Sequence, residues 1–182
     1  MNLRSLLFAC SLLFVASCES TPQETAADVL TTPAPLELGG LPNVHVMDGL
    51  YFGGQPGPED FDVLRAAGIR TVINLRGGDE VTEFNEEVVA SDAGLDYVHL
   101  PFRGASQLTD EVFDRTRELL NSDRGPLLLH CGSANRVGAV WLPHRVLDQG
   151  VPFEVALEEA KRVGLRTDAY VDRAKEYIEA RR

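Results

Sequence analysis

Leu127-Leu128-Leu129-His130-Cys131-Gly132-Ser133-Ala134-Asn135-Arg136-Val137-Gly138 decides the fold of this 182-residue chain. A short apolar run leads into a loop of small and polar residues, and an apolar segment, Val137 to Leu142, follows. The first reads as a buried parallel strand and the last as a buried helix. Strand, tight loop and helix together make an anion cradle, because the loop amides and the first helical turn lack intrahelical partners. Cys131 opens the loop and Arg136 closes it. A thiol at a helix N-terminus beside a guanidinium is expected to ionise readily. A thiolate facing a bed of donors, with an arginine fork for planar oxyanions, suits attack on an oxyanion ester.

Upstream, Val44-His45-Val46 and Leu50-Tyr51-Phe52 flank an Asp48-Gly49 turn and predict a hairpin. Pro58 is expected to open a helix with Phe61, Leu64 and Ala67 on its inner face and Gly68 as its stop. Ile69 to Leu75 reads as a strand, and 83–93 as a helix with Phe84, Val88 and Val89 inward. Asp96 to Leu100 reads as a strand, and a helix capped by Thr109 runs to Asn121. Downstream, Pro143 is expected to kink the helix that follows the loop. Two amphipathic helices follow, one opened by Pro152 and one carrying Tyr170, Ala174 and Tyr177. The alternation predicts an α/β fold: a mostly parallel central sheet with helices on both faces. Ligands of such sheets bind beyond the carboxyl ends of the strands. The loops there carry Arg76, Arg103 and Arg136, expected to converge on one multiply charged anion.

The N-terminus has a different character. A cationic start with Arg4, a short apolar run, and Val15-Ala16-Ser17-Cys18 resemble a bacterial lipoprotein signal. Residues 1–17 are then a cleaved signal peptide, and 18–40 a disordered polar tether with a lipidated Cys18. Residues 41–182 form the folded domain. The expected location is that of an exported lipoprotein on a membrane, at the periplasmic face of the outer membrane in a Gram-negative cell. Of Cys10, Cys18 and Cys131, only Cys131 would remain a free thiol. A lone thiol outside the cytoplasm is an oxidation hazard, which favours a chemical role. The formal net charge of −11 argues against nucleic acid as a partner. His45, His99 and His144 read as packing or surface residues, no spacing suits a metal, and no cofactor motif is present.

His130-Cys131 followed by Arg136 resembles the signature loop of cysteine-dependent protein tyrosine and dual-specificity phosphatases. Leu50-Tyr51-Phe52-Gly53-Gly54-Gln55-Pro56, the stretch Leu64 to Arg76, and Tyr97 to Pro101 extend the resemblance. Within that superfamily the chain is most similar to the bacterial beta-lactamase hydrolase-like phosphatases, over about residues 42–165. The resemblance implies a dual-specificity phosphatase-like fold and a two-step displacement on a phosphorylated substrate. Cys131 would attack phosphorus to form a thiophosphate. Arg136 and the loop Gly132, Ser133, Ala134, Asn135 and Val137 would hold the phosphoryl oxygens. Arg103 and Arg76 would add charge, and His130 would order the loop.

Three features depart from that pattern. Four residues separate Cys131 from Arg136 where tyrosine phosphatases have five; four is also the spacing of rhodanese sulfurtransferase loops. Val137 stands where a hydroxyl usually steadies the thiolate, leaving Ser133 as the candidate substitute. No Asp follows Leu100-Pro101-Phe102, where the general acid is expected. Asp110 is the nearest candidate in sequence, with Asp79 and Glu80 on another loop at the same edge. A sulfurtransferase and a non-catalytic phosphate-binding module therefore stand beside the phosphatase reading.

Overall fold

The structure is a computed structural model that describes residues 32–80 and 83–182. The expected signal, Cys18 and most of the tether lie outside the described residues. The first elements are strands β1 (Ala34–Pro35), β2 (His45–Met47) and β3 (Leu50–Gly53), then helix α1 (Asp60–Ala66) and strand β4 (Thr71–Asn74). Helix α2 (Glu86–Asp92), strand β5 (Asp96–His99), a short 3-10 turn (Ala105–Gln107) and helix α3 (Asp110–Leu120) follow. Strand β6 (Leu127–His130) then leads to helices α4 (Asn135–Leu147), α5 (Phe153–Val163) and α6 (Asp168–Glu179).

The strands form one sheet in the order β1-β2-β3-β6-β4-β5. The pairings β3–β6, β6–β4 and β4–β5 are parallel, and the two at the β1 edge are antiparallel. Asp48 and Gly49 make the two-residue β2–β3 turn with φ of 49° and 78°, the conformation an Asp-Gly pair favours. Residues 127–130 form β6, with parallel neighbours on both sides, and all four residues are buried. Successive side chains point to opposite faces. Leu127 and Leu129 therefore enter a core with Phe52, Ile73, Phe113 and Trp141, beneath α3, α4 and α6. Leu128 enters the other core with Phe61, Leu64, Val72 and Ala90, beneath α1 and α2. The expected sheet with helices on both faces is the one observed.

Four local expectations need correction. Order begins before Leu41: Ala34 and Pro35 pair with Val46 and His45, and Leu38 and Leu41 are buried. The buried Asp60 carboxylate accepts the amides of Gly40 (2.6 Å) and Gly57 (2.8 Å), which fixes this leading segment. Helix α1 starts at Asp60 rather than at Pro58, and Ala67 is exposed. On α2 the inner face is Glu86 and Ala90, while Val88 is 51 % exposed. Finally, α2 starts at Glu86 rather than at residue 83; Pro143, where a kink is expected, lies inside α4.

Helix α4 is almost wholly enclosed, from Val137 to Val146. It packs on α5, and Arg145 donates to both Glu159 carboxylate oxygens at 2.7 and 2.9 Å across that contact. At Gly138 the backbone of α4 lies close to that of α5. An added Cβ would lie 2.6 Å from the Ala160 carbonyl oxygen and 2.8 Å from Leu165 Cβ. Alanine normally favours a helix over glycine by about 1 kcal/mol, but overpacking against backbone costs about 1–3 kcal/mol. Gly138→Ala is therefore expected to lower the thermal unfolding midpoint. Gly78→Ala, whose Cβ meets nothing within 4 Å, should change stability by less than about 0.5 kcal/mol. A midpoint raised by Gly138→Ala would show that α5 does not press on α4 there.

Candidate active site

Strand β6 delivers His130 and Cys131 to the carboxyl edge of the sheet, and α4 begins four residues later. Cys131 is 1 % exposed and is the free cysteine among the described residues. Its amide donates to the Gly53 carbonyl oxygen at 3.4 Å. The chain turns through Ala134 in the left-handed conformation (φ 63°), the residue that caps α4. This bend wraps a loop of four residues around the thiol.

The segment between α5 and α6 braces that loop. Arg166 donates through Nη2 to Ser133 Oγ (2.6 Å) and through Nη1 to the Ser133 carbonyl oxygen (3.3 Å). The Arg166 amide donates to Asn135 Oδ1 (2.8 Å), and Asn135 Nδ2 donates to Thr167 Oγ1 (2.8 Å). Two of the expected phosphate-binding side chains are thus committed to holding the loop's shape. The Ser133 hydroxyl accepts from Arg166, and Ser133 lines the cavity that Cys131 lines. Val137 is fully buried in the core.

Arg136 is the best-anchored group of the site. Its Nη1 donates to the backbone carbonyl oxygens of Leu75 (3.1 Å) and Phe102 (3.0 Å), at the ends of β4 and β5. The same Nη1 also donates to Glu80 Oε1 (2.5 Å) and Nη2 donates to Glu80 Oε2 (2.7 Å), a two-point grip on the carboxylate. That carboxylate also accepts the Gly77 amide (2.8 Å) and lies 3.4 Å from Arg76 Nε. The Arg136 hydrogen bond, with the Gly77 amide and Arg76 in support, outweighs burial and holds the Glu80 carboxyl down at about 2. Its folded value lies below the ordinary 4.5, so the contact is intact above about pH 4.5 and is lost as pH falls through about 2. Burial pulls the Arg136 guanidinium down, but Glu80 and Cys131 more than offset it and leave it raised.

A cavity of about 250 Å³ lies over the thiol. Cys131, Arg136, Arg103 and Glu80 line it, with Tyr170 at one side. Arg103 is exposed and pairs with Asp79 at 2.6 Å. Arg76 does not line this cavity. It sits behind Glu80 and lines a separate cavity of about 380 Å³ with Tyr97 and His99. The three expected arginines thus gather at one edge, but Asp79 and Glu80 already engage them. Asp110 is not brought to the thiol. Arg173 of α6 and Arg181 just beyond that helix hold its carboxylate, and these contacts keep it below the usual carboxylate range.

The sequence reading missed Glu86. It lies 5 % exposed beneath the loop, with one oxygen 2.7 Å from His130 Nε2. Its other oxygen accepts from Gln55 Nε2 (2.8 Å) and Asn74 Nδ2 (3.0 Å). Burial pushes this carboxyl up, but His130, with help from Gln55 and Arg76, holds it below its ordinary value. His130 thus faces an acid of α2. The signal available in the sequence was an acid at the helical position that Ala90 shares.

The family model for the beta-lactamase hydrolase-like protein, phosphatase-like domain, matches residues 44–147. Beta-lactamase hydrolase-like proteins of Xylella fastidiosa and Agrobacterium fabrum are 29 % and 28 % identical over 109 residues, 58 % of this chain. The chain spans about a quarter of the length of these curated relatives, the matched region being 25 % of each. Among solved structures, a putative phosphatase of Shewanella putrefaciens aligns with TM-score 0.65 at 19 % identity, over 78 % of this chain and 94 % of its own. TpbA of P. aeruginosa, as a variant in complex with pTyr, aligns with TM-score 0.66 at 20 % identity, over 84 % and 97 %. The core catalytic domain of the PP-IP phosphatase SIW14 of S. cerevisiae aligns with TM-score 0.63 at 19 % identity, over 79 % and 87 %. These likenesses give the fold, and the match over 44–147 gives the kinship. The chain belongs to the family of the beta-lactamase hydrolase-like phosphatase-like domain.

Proposed function

We propose that this chain is a cysteine-dependent phosphatase that hydrolyses phosphate monoesters outside the cytoplasm. The observation that carries the reading is the pairing of a loop-enclosed thiol, Cys131, with a guanidinium, Arg136, whose two terminal nitrogens already hold an oxyanion, the Glu80 carboxylate. A planar carboxylate and a phosphoryl face present similar oxygen pairs to such a fork.

The Cys131 thiolate attacks phosphorus, and the ester oxygen leaves as the S–P bond forms. The Arg136 fork and the amides of the loop and first helical turn stabilise the charge on the equatorial oxygens. Water then attacks the thiophosphate, releasing phosphate and restoring the thiolate. The purified full chain, in reductant, is expected to release phosphate from aryl phosphates, and Cys131→Ser is expected to abolish this while retaining phosphate binding. Sulfur transfer from thiosulfate without phosphate release would place the chain with the sulfurtransferases, the reading its four-residue loop spacing favours. Phosphate binding with neither turnover would leave a binding module.

The membrane attachment rests on Leu3 to Cys18, a stretch with the pattern of a lipoprotein signal. Cys18 carries the lipid in this reading, and the phosphorylated substrate is met on the outer side of the membrane. Expressed in a bacterium fed radiolabelled palmitate, the protein is expected to take up label, and Cys18→Ala to prevent it. Equal labelling of the two would remove the anchor from the proposal.

A further inference from the structure

Glu80 is the carboxyl-bearing residue among the described residues lining the Cys131 cavity. The loop after β5, the expected place of a general acid, offers Arg103-Gly104-Ala105-Ser106 instead. Asp110 is turned away into its pair with Arg173 and Arg181. Asp79 is committed to Arg103 at the exposed rim. We infer that Glu80 is the proton donor and acceptor of this site, and that substrate brings it into action by displacing its carboxylate from Arg136. The inference rests on the phosphatase reading above.

Two observations separate this role from that of a brace. First, Arg136 does not need Glu80 for its position. Nη1 is shared among the Leu75 and Phe102 carbonyl oxygens and Glu80 Oε1, and it keeps both backbone partners when the carboxylate leaves, so it stays aimed. Second, the turn that carries Glu80 is held largely from within, by Gly77 and by Arg76, which donates to the Glu80 carbonyl oxygen and carboxylate. Apart from Arg136, its tie outward is the exposed Asp79–Arg103 pair, a kind of contact worth about 0–1 kcal/mol. Gly78 has open space around it. The phosphoryl group then replaces one oxyanion by another on the same fork, and the guanidinium remains paired throughout.

The exchange also changes the acid. While it is bound to Arg136, Glu80 is ionised and cannot donate. Displaced, it loses its principal stabilising partner and faces the phosphoryl oxygens, and a neighbouring like charge raises a carboxyl's affinity for a proton. The proton arrives with a substrate monoanion, since phosphate esters titrate near pH 6, or from solvent. In the first step the S–P bond forms, the P–O ester bond breaks, and the Glu80 proton moves to the leaving oxygen. In the second, the Glu80 carboxylate takes a proton from the attacking water, the new P–O bond forms, the S–P bond breaks, and the electron pair returns to sulfur. Phosphate departs, Glu80 releases its proton and returns to Arg136.

The test uses the full chain and its Glu80→Gln variant, with aryl phosphates graded by leaving group and with sulfate as a non-titrating tetrahedral anion. On phenyl phosphate, Glu80→Gln is expected to lose about 10²-fold or more in kcat/KM; on 2,4-dinitrophenyl phosphate, whose leaving oxygen needs no proton, the loss shrinks to less than about tenfold. Calorimetry at pH 5.5 in two buffers of different ionisation enthalpy should show proton uptake when the natural protein binds sulfate. Glu80→Gln should show none, and should bind sulfate about tenfold tighter, a difference of about 1.4 kcal/mol. An equal loss on both esters with weaker sulfate binding would make Glu80 a brace and overturn the inference. So would the same leaving-group signature in Tyr170→Phe with Glu80→Gln active, which would move the acid to the phenol. Absence of Cys131-dependent release from any ester would remove the phosphatase reading, and the acid with it.

Discussion

One guanidinium ties the active edge together. Arg136 donates to carbonyl oxygens at the ends of β4 and β5 while its own helix starts from β6. Three adjacent strands and the most deeply buried helix therefore share one charged hydrogen-bonding centre. Charge-assisted bonds of this kind are stronger than neutral ones, and their partners here are backbone atoms that cannot rotate away. The position of the fork relative to Cys131 follows from the sheet register, with Asn74 opposite His130 and, on the other side, His99.

The loop spacing gains a physical meaning from that arrangement. With four residues between Cys131 and Arg136, the chain has little slack, and the left-handed Ala134 takes up the bend. Ala134 is fully buried against Gly164, the residue where α5 ends. The same junction supplies Arg166 and Thr167, which occupy Ser133 and Asn135. The polar side chains of the loop thus serve its shape, and in the proposed reading the anion is left to the backbone amides and to Arg136.

The fold was legible because its strongest signals are local and apolar. The run 127–129, the Asp48-Gly49 turn and the stripes of α3, α5 and α6 each declare their element without reference to partners. Phe61 and Leu64 reported α1 for the same reason, and Ala67 and Val88 misled because a helix of two turns leaves its end and one side in water. The residues that were illegible are charged groups whose partners are far away in sequence. Glu86 pairs with His130, 44 positions on, and Glu80 with Arg136, 56 positions on. Nothing in the local pattern of Glu80 distinguishes it from a solvated acid, and Glu86 is marked only by sharing a helix face with Ala90. The convergence of Arg76, Arg103 and Arg136 was readable from strand order; their neutralisation by Asp79 and Glu80 was not.

That neutralisation fits the charge of the whole molecule. At a formal −11, the long-range field opposes the approach of a phosphate ester. Such fields fade within about 8–10 Å at moderate ionic strength, so the decisive attraction acts inside the cavity, where the arginines are. An open cluster of unpaired guanidinium groups on an acidic surface would attract the protein's own carboxylates from elsewhere. Glu80 and Asp79 are two such carboxylates, kept on a short turn beside the cavity they cover. Their occupation of the site leaves a selective seat: an incoming anion must bind Arg136 better than a carboxylate does, which favours a dianion with three equatorial oxygens over the singly charged acids that surround it.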